Sequence, residues 1–123
     1  MNEQAVRDMI AQLANAMMRQ DDNEVVGYFT EDAVFIAPSG RFVGRQAIYE
    51  AGSSYNRDYT NIIIRVQDVI ACDDKGVIEW SFAETRKSDG YSHVMEDAIV
   101  FHLRDGKIAY WREYFDPGQV ELI

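Results

Sequence analysis

Apolar residues that precede Asn61 recur at helical spacing, whereas those that follow it alternate as they do in strands. The first set is spaced three and four apart, which places it on one face of an amphipathic helix: Val6, Met9, Ile10, Leu13, Ala16 and Met17. Asp21-Asp22-Asn23-Glu24 then offers capping oxygens. The pattern therefore predicts a long first helix and a short second helix that ends near Phe29.

The next segment predicts a short strand, a turn and a third helix. Residues 33–37 are apolar and are followed by Pro38-Ser39-Gly40, a sequence typical of a turn. Gly44 precedes the third helix. The buried side of that helix is predicted to carry Ala47, Ile48, Ala51 and Tyr55.

Four longer strands are predicted in the second half, over residues 61–72, 77–87, 92–104 and 107–116. Turn sequences separate them: Asp73-Asp74-Lys75-Gly76, Ser88-Asp89-Gly90 and Asp105-Gly106. Helices followed by an antiparallel meander indicate the α+β class. At 123 residues, we expect one domain over the whole chain, residues 1–123.

Charge and motifs exclude several classes of function. With 12 basic against 21 acidic residues, the net charge is −9, which disfavours nucleic acid and membrane surfaces as partners. Cys72 is the only cysteine, and the start of the chain lacks the apolar run of a signal peptide, so we expect a cytoplasmic protein. No nucleotide-binding loop occurs, and His93 and His102 face opposite sides of one strand. We therefore expect no metal and no cofactor.

The last strand contains the strongest indication of a site. Because side chains alternate between faces, Trp111, Glu113 and Phe115 share one face. A carboxylate between two large aromatics is typical of a pocket, since apolar surroundings alter its proton affinity.

The same alternation extends the predicted pocket to neighbouring strands and to the helical side. Its acids are Glu84, Asp97 and Glu113, which we take as candidate proton-transfer groups. The candidate ligand-binding residues are Met17, Phe35, Tyr49, Trp80, Phe82, Met95, Ile99, Trp111 and Phe115. Apolar concavities with a few convergent polar groups typically bind small molecules.

Three stretches resemble the nuclear transport factor 2-like superfamily, and within it the SnoaL-like group. They are Tyr28-Phe29-Thr30-Glu31-Asp32-Ala33-Val34-Phe35, then Pro38-Ser39-Gly40 with Gly44-Arg45-Gln46-Ala47-Ile48, and Asp105-Gly106-Lys107-Ile108 with Trp111-Arg112-Glu113-Tyr114-Phe115-Asp116. The resemblance implies a cone-shaped α+β fold, in which three N-terminal helices close a curved antiparallel sheet. Relatives include polyketide cyclases, limonene-epoxide hydrolases and ketosteroid isomerases, so the resemblance predicts the fold better than the reaction.

The hydrolase mechanism is not supported position by position. Glu113 and Glu84 stand at the two acid positions of the hydrolases, but Phe82 replaces their arginine. Phe35 and Ala37 replace their tyrosine and asparagine. The resemblance therefore implies no limonene-type epoxide hydrolysis.

The steroid isomerase mechanism lacks its residues as well. Ala37 stands where those enzymes have an aspartate base. Leu13 and Ile99 stand at the two positions that bind the oxyanion. The resemblance therefore implies no steroid double-bond isomerisation.

Two roles remain open for the acids. The first is proton transfer on a small apolar or aromatic molecule, as polyketide cyclases of this fold perform with an acidic residue. In the second, the acids only form ion pairs and hydrogen bonds within the protein: Glu84 pairs with Arg86 or Arg112, and Asp97 accepts a hydrogen bond from Trp80 or Tyr49. The chain would then be a ligand-binding or interaction module.

We also expect a homodimer. An apolar set faces outward on the convex side of the predicted sheet: Val94, Ala98, Val100, Tyr110 and Tyr114. Pairing two such faces about a twofold axis would bury them.

Overall fold

Three helices and seven strands are present in the computed structural model, which describes residues 1–115 and, by their backbone, residues 121–122. The helices are α1 (Glu3–Met18), α2 (Asp22–Gly27) and α3 (Arg45–Asp58). The strands are β1 (Phe29–Ala37), β2 (Gly40–Val43), β3 (Tyr59–Cys72), β4 (Lys75–Arg86), β5 (Ser92–Arg104), β6 (Lys107–Phe115) and β7 (Glu121–Leu122). The last position of the predicted fourth strand, Asp116, lies outside the described residues.

The first two helices begin at the capping residues that precede their apolar runs. The Asn2 side chain accepts a hydrogen bond from the Ala5 amide at 2.7 Å, and the Asp21 side chain accepts one from the Glu24 amide at 3.1 Å. These bonds satisfy amides that the first helical turn leaves without partners. The buried face of α1 is the apolar stripe that the spacing predicts, except that Met17 is only partly buried and Ala14, which was not predicted, is buried as well.

The sheet is curved, with the strand order β2-β1-β6-β5-β4-β3 and β7 beside the start of β5. The predicted antiparallel meander is present in β3 to β6. The expectation of a wholly antiparallel sheet is wrong, because β1 runs parallel to β6. A β1–β2 hairpin separates α3 from the other two helices, at the place where the sequence predicts a short strand and a turn.

Some element boundaries also differ from the prediction. α2 ends at Gly27, and β1 begins at Phe29 instead of Ala33, because its first residues pair with the start of β6. The strand β2 was not predicted, since it has only four residues. Gly44 has φ of +89° before α3, a left-handed conformation that favours glycine.

The hydrophobic core fills the space between α1 and the concave sheet face. Its largest fully buried side chains are Trp80, Trp111, Phe29 and Phe101. The Trp80 and Trp111 rings lie with centroids 5.6 Å apart.

No helix among the described residues is long and apolar enough to cross a membrane.

Candidate functional site

A cavity of about 400 Å³ lies between the helices and the concave face of the sheet. Helical residues and the turn after β1 form one side, and strand residues form the other. The helix and turn residues are Met17, Gln20, Asp22, Val25, Pro38, Ser39, Ile48, Ala51, Gly52, Tyr55 and Asn56. The strand residues are Phe35, Ala37, Phe42, Tyr59, Ile62, Phe82, Glu84, Met95, Asp97, Glu113 and Phe115.

Strand register brings the three candidate acids onto the cavity side. Glu84 pairs with His93 across β4 and β5, and Asp97 pairs with Phe115 across β5 and β6. Glu113 lies two positions before Phe115, so it shares the face of Asp97. All three acids line the cavity.

Two of the acids accept hydrogen bonds from the two tryptophans beneath them. The Trp80 indole donates from Nε1 to Oδ2 of Asp97 at 3.1 Å. The Trp111 indole donates from Nε1 to Oε2 of Glu113 at 3.0 Å. Each indole therefore fixes one carboxylate oxygen, and the other oxygen of each acid has no donor among the described residues. Of the two donors considered for Asp97, Trp80 is the one that donates, rather than Tyr49.

Burial makes Glu113 a weak acid. Desolvation raises the pKa of Glu113 to about 7, with further increases from the charges of Asp97 and Glu84, while the Trp111 hydrogen bond lowers it. Burial also raises the pKa of Asp97; the Trp80 hydrogen bond opposes this shift, and the charge of Glu84 adds to it. Glu113 can therefore hold or release a proton near neutral pH, the condition that general acid–base chemistry requires.

Glu84 is held by side chains on two other elements. The Tyr55 hydroxyl donates to Oε1 of Glu84, and Nε2 of His93 lies 3.1 Å from Oε2. Only 6% of Glu84 is exposed. The predicted pairing of Glu84 with Arg86 or Arg112 is wrong: Arg86 pairs with Asp89, and Arg112 lies over the Tyr114 ring.

The Tyr55 ring is itself enclosed by aromatic neighbours. It stacks on Tyr59 with centroids 4.7 Å apart and meets the edge of Phe82 at 6.3 Å. Burial raises the pKa of Tyr55, and the adjacent Glu84 carboxylate adds to the shift. The hydroxyl therefore remains protonated and donates to Glu84.

The predicted ligand-binding residues separate into two groups. Five line the cavity: Met17, Phe35, Phe82, Met95 and Phe115. Trp80, Ile99 and Trp111 are instead buried in the core, with at most 1% exposed, and Tyr49 on α3 is partly buried and not in the cavity wall. Strand alternation identifies the face of the sheet but not the depth of each side chain below the cavity.

Sequence reasoning missed a polar group at the helical end of the cavity. The Asp22 carboxylate on α2 accepts hydrogen bonds from Asn56 at 2.9 Å and from Ser53 at 3.1 Å, both on α3. Gln20 donates to the Asn56 side-chain oxygen at 2.8 Å. Only one feature of the sequence indicated this part of the cavity wall: the predicted buried side of α3, which includes Tyr55.

Within the described part of the chain, no group of three or more His, Cys, Asp or Glu side chains has the geometry to hold a metal ion. His93 and His102 belong to different surroundings. His93 contacts Glu84, whereas the His102 ring stacks on Tyr110 with centroids 4.7 Å apart.

This helix-and-sheet arrangement has the nuclear transport factor 2-like or ketosteroid isomerase-like fold. A Catenulispora acidiphila protein of ketosteroid isomerase-like fold, in complex with trimethylamine, is 16% identical over 89% of this chain and 85% of that chain, with a TM-score of 0.82. A putative polyketide cyclase from Xanthomonas campestris is 20% identical over 97% and 96% of the two chains, with a TM-score of 0.82. The epoxide hydrolase/cyclase-like enzyme SalBIII, which functions in salinomycin pyran-ring formation, is 19% identical over 99% and 98%, with a TM-score of 0.86.

The family follows from the sequence match. The SnoaL-like domain family matches residues 6–111, most of the chain, so this protein belongs to that family. No curated protein matches the sequence. At identities of 20% or less, the likeness to the three solved structures establishes the fold and leaves the reaction to be argued from the cavity.

Proposed function

We propose that this protein binds a small, largely apolar or aromatic molecule in its cavity and moves a proton on that molecule with Glu113. One observation carries the proposal: a carboxyl group with a pKa of about 7 lines a mostly apolar cavity of about 400 Å³. A cavity of this size accommodates a drug-sized ligand. A group that titrates near neutral pH serves as acid and as base at the same pH.

The proton balance needs no co-reactant. The ionised Glu113 carboxylate accepts a proton from one atom of the ligand, and the resulting carboxylic acid returns it to another atom. The net change is an isomerisation or a ring closure within the ligand. Asp97 lies on the same face and is the second candidate for either half of this transfer.

Glu84 has a different role in this proposal. Because Tyr55 and His93 already occupy both of its oxygens, Glu84 is poorly placed to exchange a proton with a ligand. Its negative charge instead raises the proton affinities of Glu113 and Asp97. We therefore assign Glu84 a supporting role behind the other two acids.

Exchange with solvent deuterium tests the proposal. A panel of small aromatic molecules is first screened for binding by NMR, with the cavity side chains of Met17 and Met95 as reporters. Each bound molecule is then incubated in deuterated buffer, and deuterium incorporation is measured. Glu113→Gln keeps the shape of the side chain but cannot exchange a proton through a carboxyl, so we expect incorporation to fall by roughly a hundredfold or more.

A non-catalytic binding protein is the second candidate, and a specific observation favours it. Each of the three acids already accepts a hydrogen bond from a protein side chain, as a purely structural acid would: Trp80 to Asp97, Trp111 to Glu113 and Tyr55 to Glu84. Under this alternative, Glu113→Gln leaves ligand affinity unchanged, and no bound molecule gains deuterium faster than it does in buffer.

A further inference from the structure

The charged groups of the cavity wall are all acidic. They are Asp22, Glu84, Asp97 and Glu113, and within residues 1–115 no lysine, arginine or histidine lines the cavity. The sequence after Phe115 also contains none of these three residue types. A ligand that enters this cavity therefore meets negative charge without a positive side chain to balance it.

Two of these acids present an oxygen that accepts no hydrogen bond from the part of the chain that the structure describes. Asp22 is held by Ser53 and Asn56, and Glu84 is held by Tyr55 and His93. Within residues 1–115, Asp97 and Glu113 each have a single donor, an indole that bonds to Oδ2 of Asp97 or Oε2 of Glu113.

The free oxygens, Asp97 Oδ1 and Glu113 Oε1, therefore remain as acceptors without donors among the described residues. Both residues are partly buried, and a carboxylate oxygen that faces a cavity in this way favours a ligand that supplies a charged donor.

Aromatic rings form much of the remaining wall: Phe35, Phe42, Tyr55, Tyr59, Phe82 and Phe115. The faces of such rings attract cations, and the attraction is stronger where water is excluded. Acids and aromatic faces around one cavity form a surface complementary to an ammonium group on an apolar body. The net charge of −9 would also draw a cation toward the protein.

We infer that the ligand is a cation, an apolar or aromatic molecule whose ammonium group binds at Asp97 and Glu113. This inference rests on the proposed function, because it specifies the charge of the molecule that the same cavity binds. The ammonium group takes the place of the proton on Glu113. Binding therefore releases a proton at pH values where that carboxyl is still protonated.

Three probes with the same aromatic body test the charge: phenethylamine, phenethyl alcohol and hydrocinnamate, which are a cation, a neutral molecule and an anion. At about pH 8, where Glu113 is largely ionised, we expect the amine to bind at least about tenfold more tightly than the alcohol, with hydrocinnamate weakest. At about pH 6 this preference should shrink, because Glu113 becomes protonated and loses the charge that attracts the amine. The titratable groups that face Glu113 from neighbouring elements are Asp97, Glu84 and Tyr55.

The two tryptophans supply a direct readout. The chain contains only Trp80 and Trp111, and both indole N–H groups bond to the acids in question. We expect phenethylamine to shift both indole N–H resonances more than phenethyl alcohol does. In Glu113→Gln the preference for the amine should fall severalfold. Glu96→Gln is the matched control, because Glu96 is exposed and neighbours Asp97 on the opposite face of β5, so the preference should be unchanged.

The outcomes separate this inference from the proposed function. Equal affinity for the amine and the alcohol would overturn the inference, while their binding in the cavity would still support a small-molecule site. Tighter binding of hydrocinnamate would likewise overturn it. Failure of all three probes to bind at millimolar concentration would count against both the cation and the binding site itself.

Discussion

At the scale of single residues, the burial of Glu113 lowers the stability of the folded chain when the carboxyl ionises, and the same burial suits the carboxyl for proton transfer. Its pKa of about 7 exceeds the ordinary carboxyl value of 4.5, so the folded chain retains a proton that the unfolded chain releases between these pH values. The contribution of this group to the free energy of unfolding therefore falls as pH rises through that window. Sites that bind or react commonly carry such a cost in stability.

Replacing Glu113 with glutamine should make stability less dependent on pH. The amide cannot ionise, so the free energy of unfolding of the variant should not contain this pH-dependent term. The difference in the free energy of unfolding between variant and natural chain should therefore be up to roughly 3 kcal/mol more favourable to the variant at about pH 8 than at pH 5. Urea unfolding at the two pH values measures this difference. If the substitution changed the free energy of unfolding equally at both pH values, this prediction would be contradicted. Glu96→Gln, on the exposed face, provides the control.

Tyr55 should be a determinant of stability through Glu84. Tyr55→Phe removes the hydroxyl that donates to this buried carboxylate, which would leave His93 as its remaining described partner. An unsatisfied buried acceptor costs about 1–3 kcal/mol, and we expect a loss of this size in the free energy of unfolding. Tyr91→Phe is the control, since 42% of Tyr91 is exposed. Equal stabilities of the two variants would refute the assignment.

The sequence predicts these residues to different extents. Alternation along the strands predicts that Glu84, Asp97 and Glu113 share one face, because that property is local to each strand. The bond from Tyr55 to Glu84 joins residues 29 positions apart, and no pattern within either segment specifies it. Similarly, Trp80 and Trp111 were placed on the correct face but lie below the cavity, since depth depends on how the sheet curves.

At the scale of elements, the sequence predicts helix starts and turns better than it predicts which distant strands pair. The capping residue Asp21 predicts the start of α2 close to its observed position. The turn sequences likewise predict the ends of strands β3 to β6 close to the observed ends. The parallel contact of β1 with β6 joins segments that are distant in the chain, so its direction cannot be derived from hairpin signals. This contact places Phe35 directly beside Trp111.

The β3–β4 hairpin depends on Gly76. A Cβ atom at this position would lie 2.3 Å from Cζ of Phe101, which is fully buried, and 2.6 Å from the carbonyl oxygen of Ile70. Neither atom has room to move, so we expect Gly76→Ala to lower the free energy of unfolding by roughly 2 kcal/mol or more. Gly27→Ala is the matched control, because nothing lies within 4 Å of its added Cβ. Thermal unfolding of the two variants measures the contrast. A Gly76→Ala chain as stable as the control would contradict this account of the hairpin.

At the scale of the whole molecule, we propose that the convex sheet face pairs with a second copy of the chain. Register brings Ala98 opposite Tyr114 on β6, and Val100 opposite Val77 on β4. Tyr114 is 47% exposed and Val77 is 36% exposed. This face therefore exposes apolar surface in the single chain, interspersed with charged side chains, since Glu79 is paired with Ala98 and Arg112 with Val100. The acids of the cavity lie on the other face, so dimerisation would leave them accessible to a ligand.

Light scattering at micromolar concentration should give twice the monomer mass of 14.1 kDa. Ala98→Glu adds a second negative charge between Glu79 and Tyr114, the partners of Ala98 on β4 and β6, and should shift the mass toward that of the monomer. Glu31→Gln is the control, since Glu31 is exposed on β1, a strand that carries none of the residues named on this face. A monomer mass for the natural chain would overturn the proposed dimer.

Titration of the Glu113 carboxyl carbon by NMR measures whether this residue exchanges a proton near neutral pH within the cavity. The resonance is assigned by its absence from Glu113→Gln, and its chemical shift is followed from acid to mildly alkaline pH. We expect a pKa of about 7 for Glu113. A midpoint near the ordinary value of 4.5 would contradict it, because Glu113 would then be fully ionised at neutral pH and would have no proton to donate.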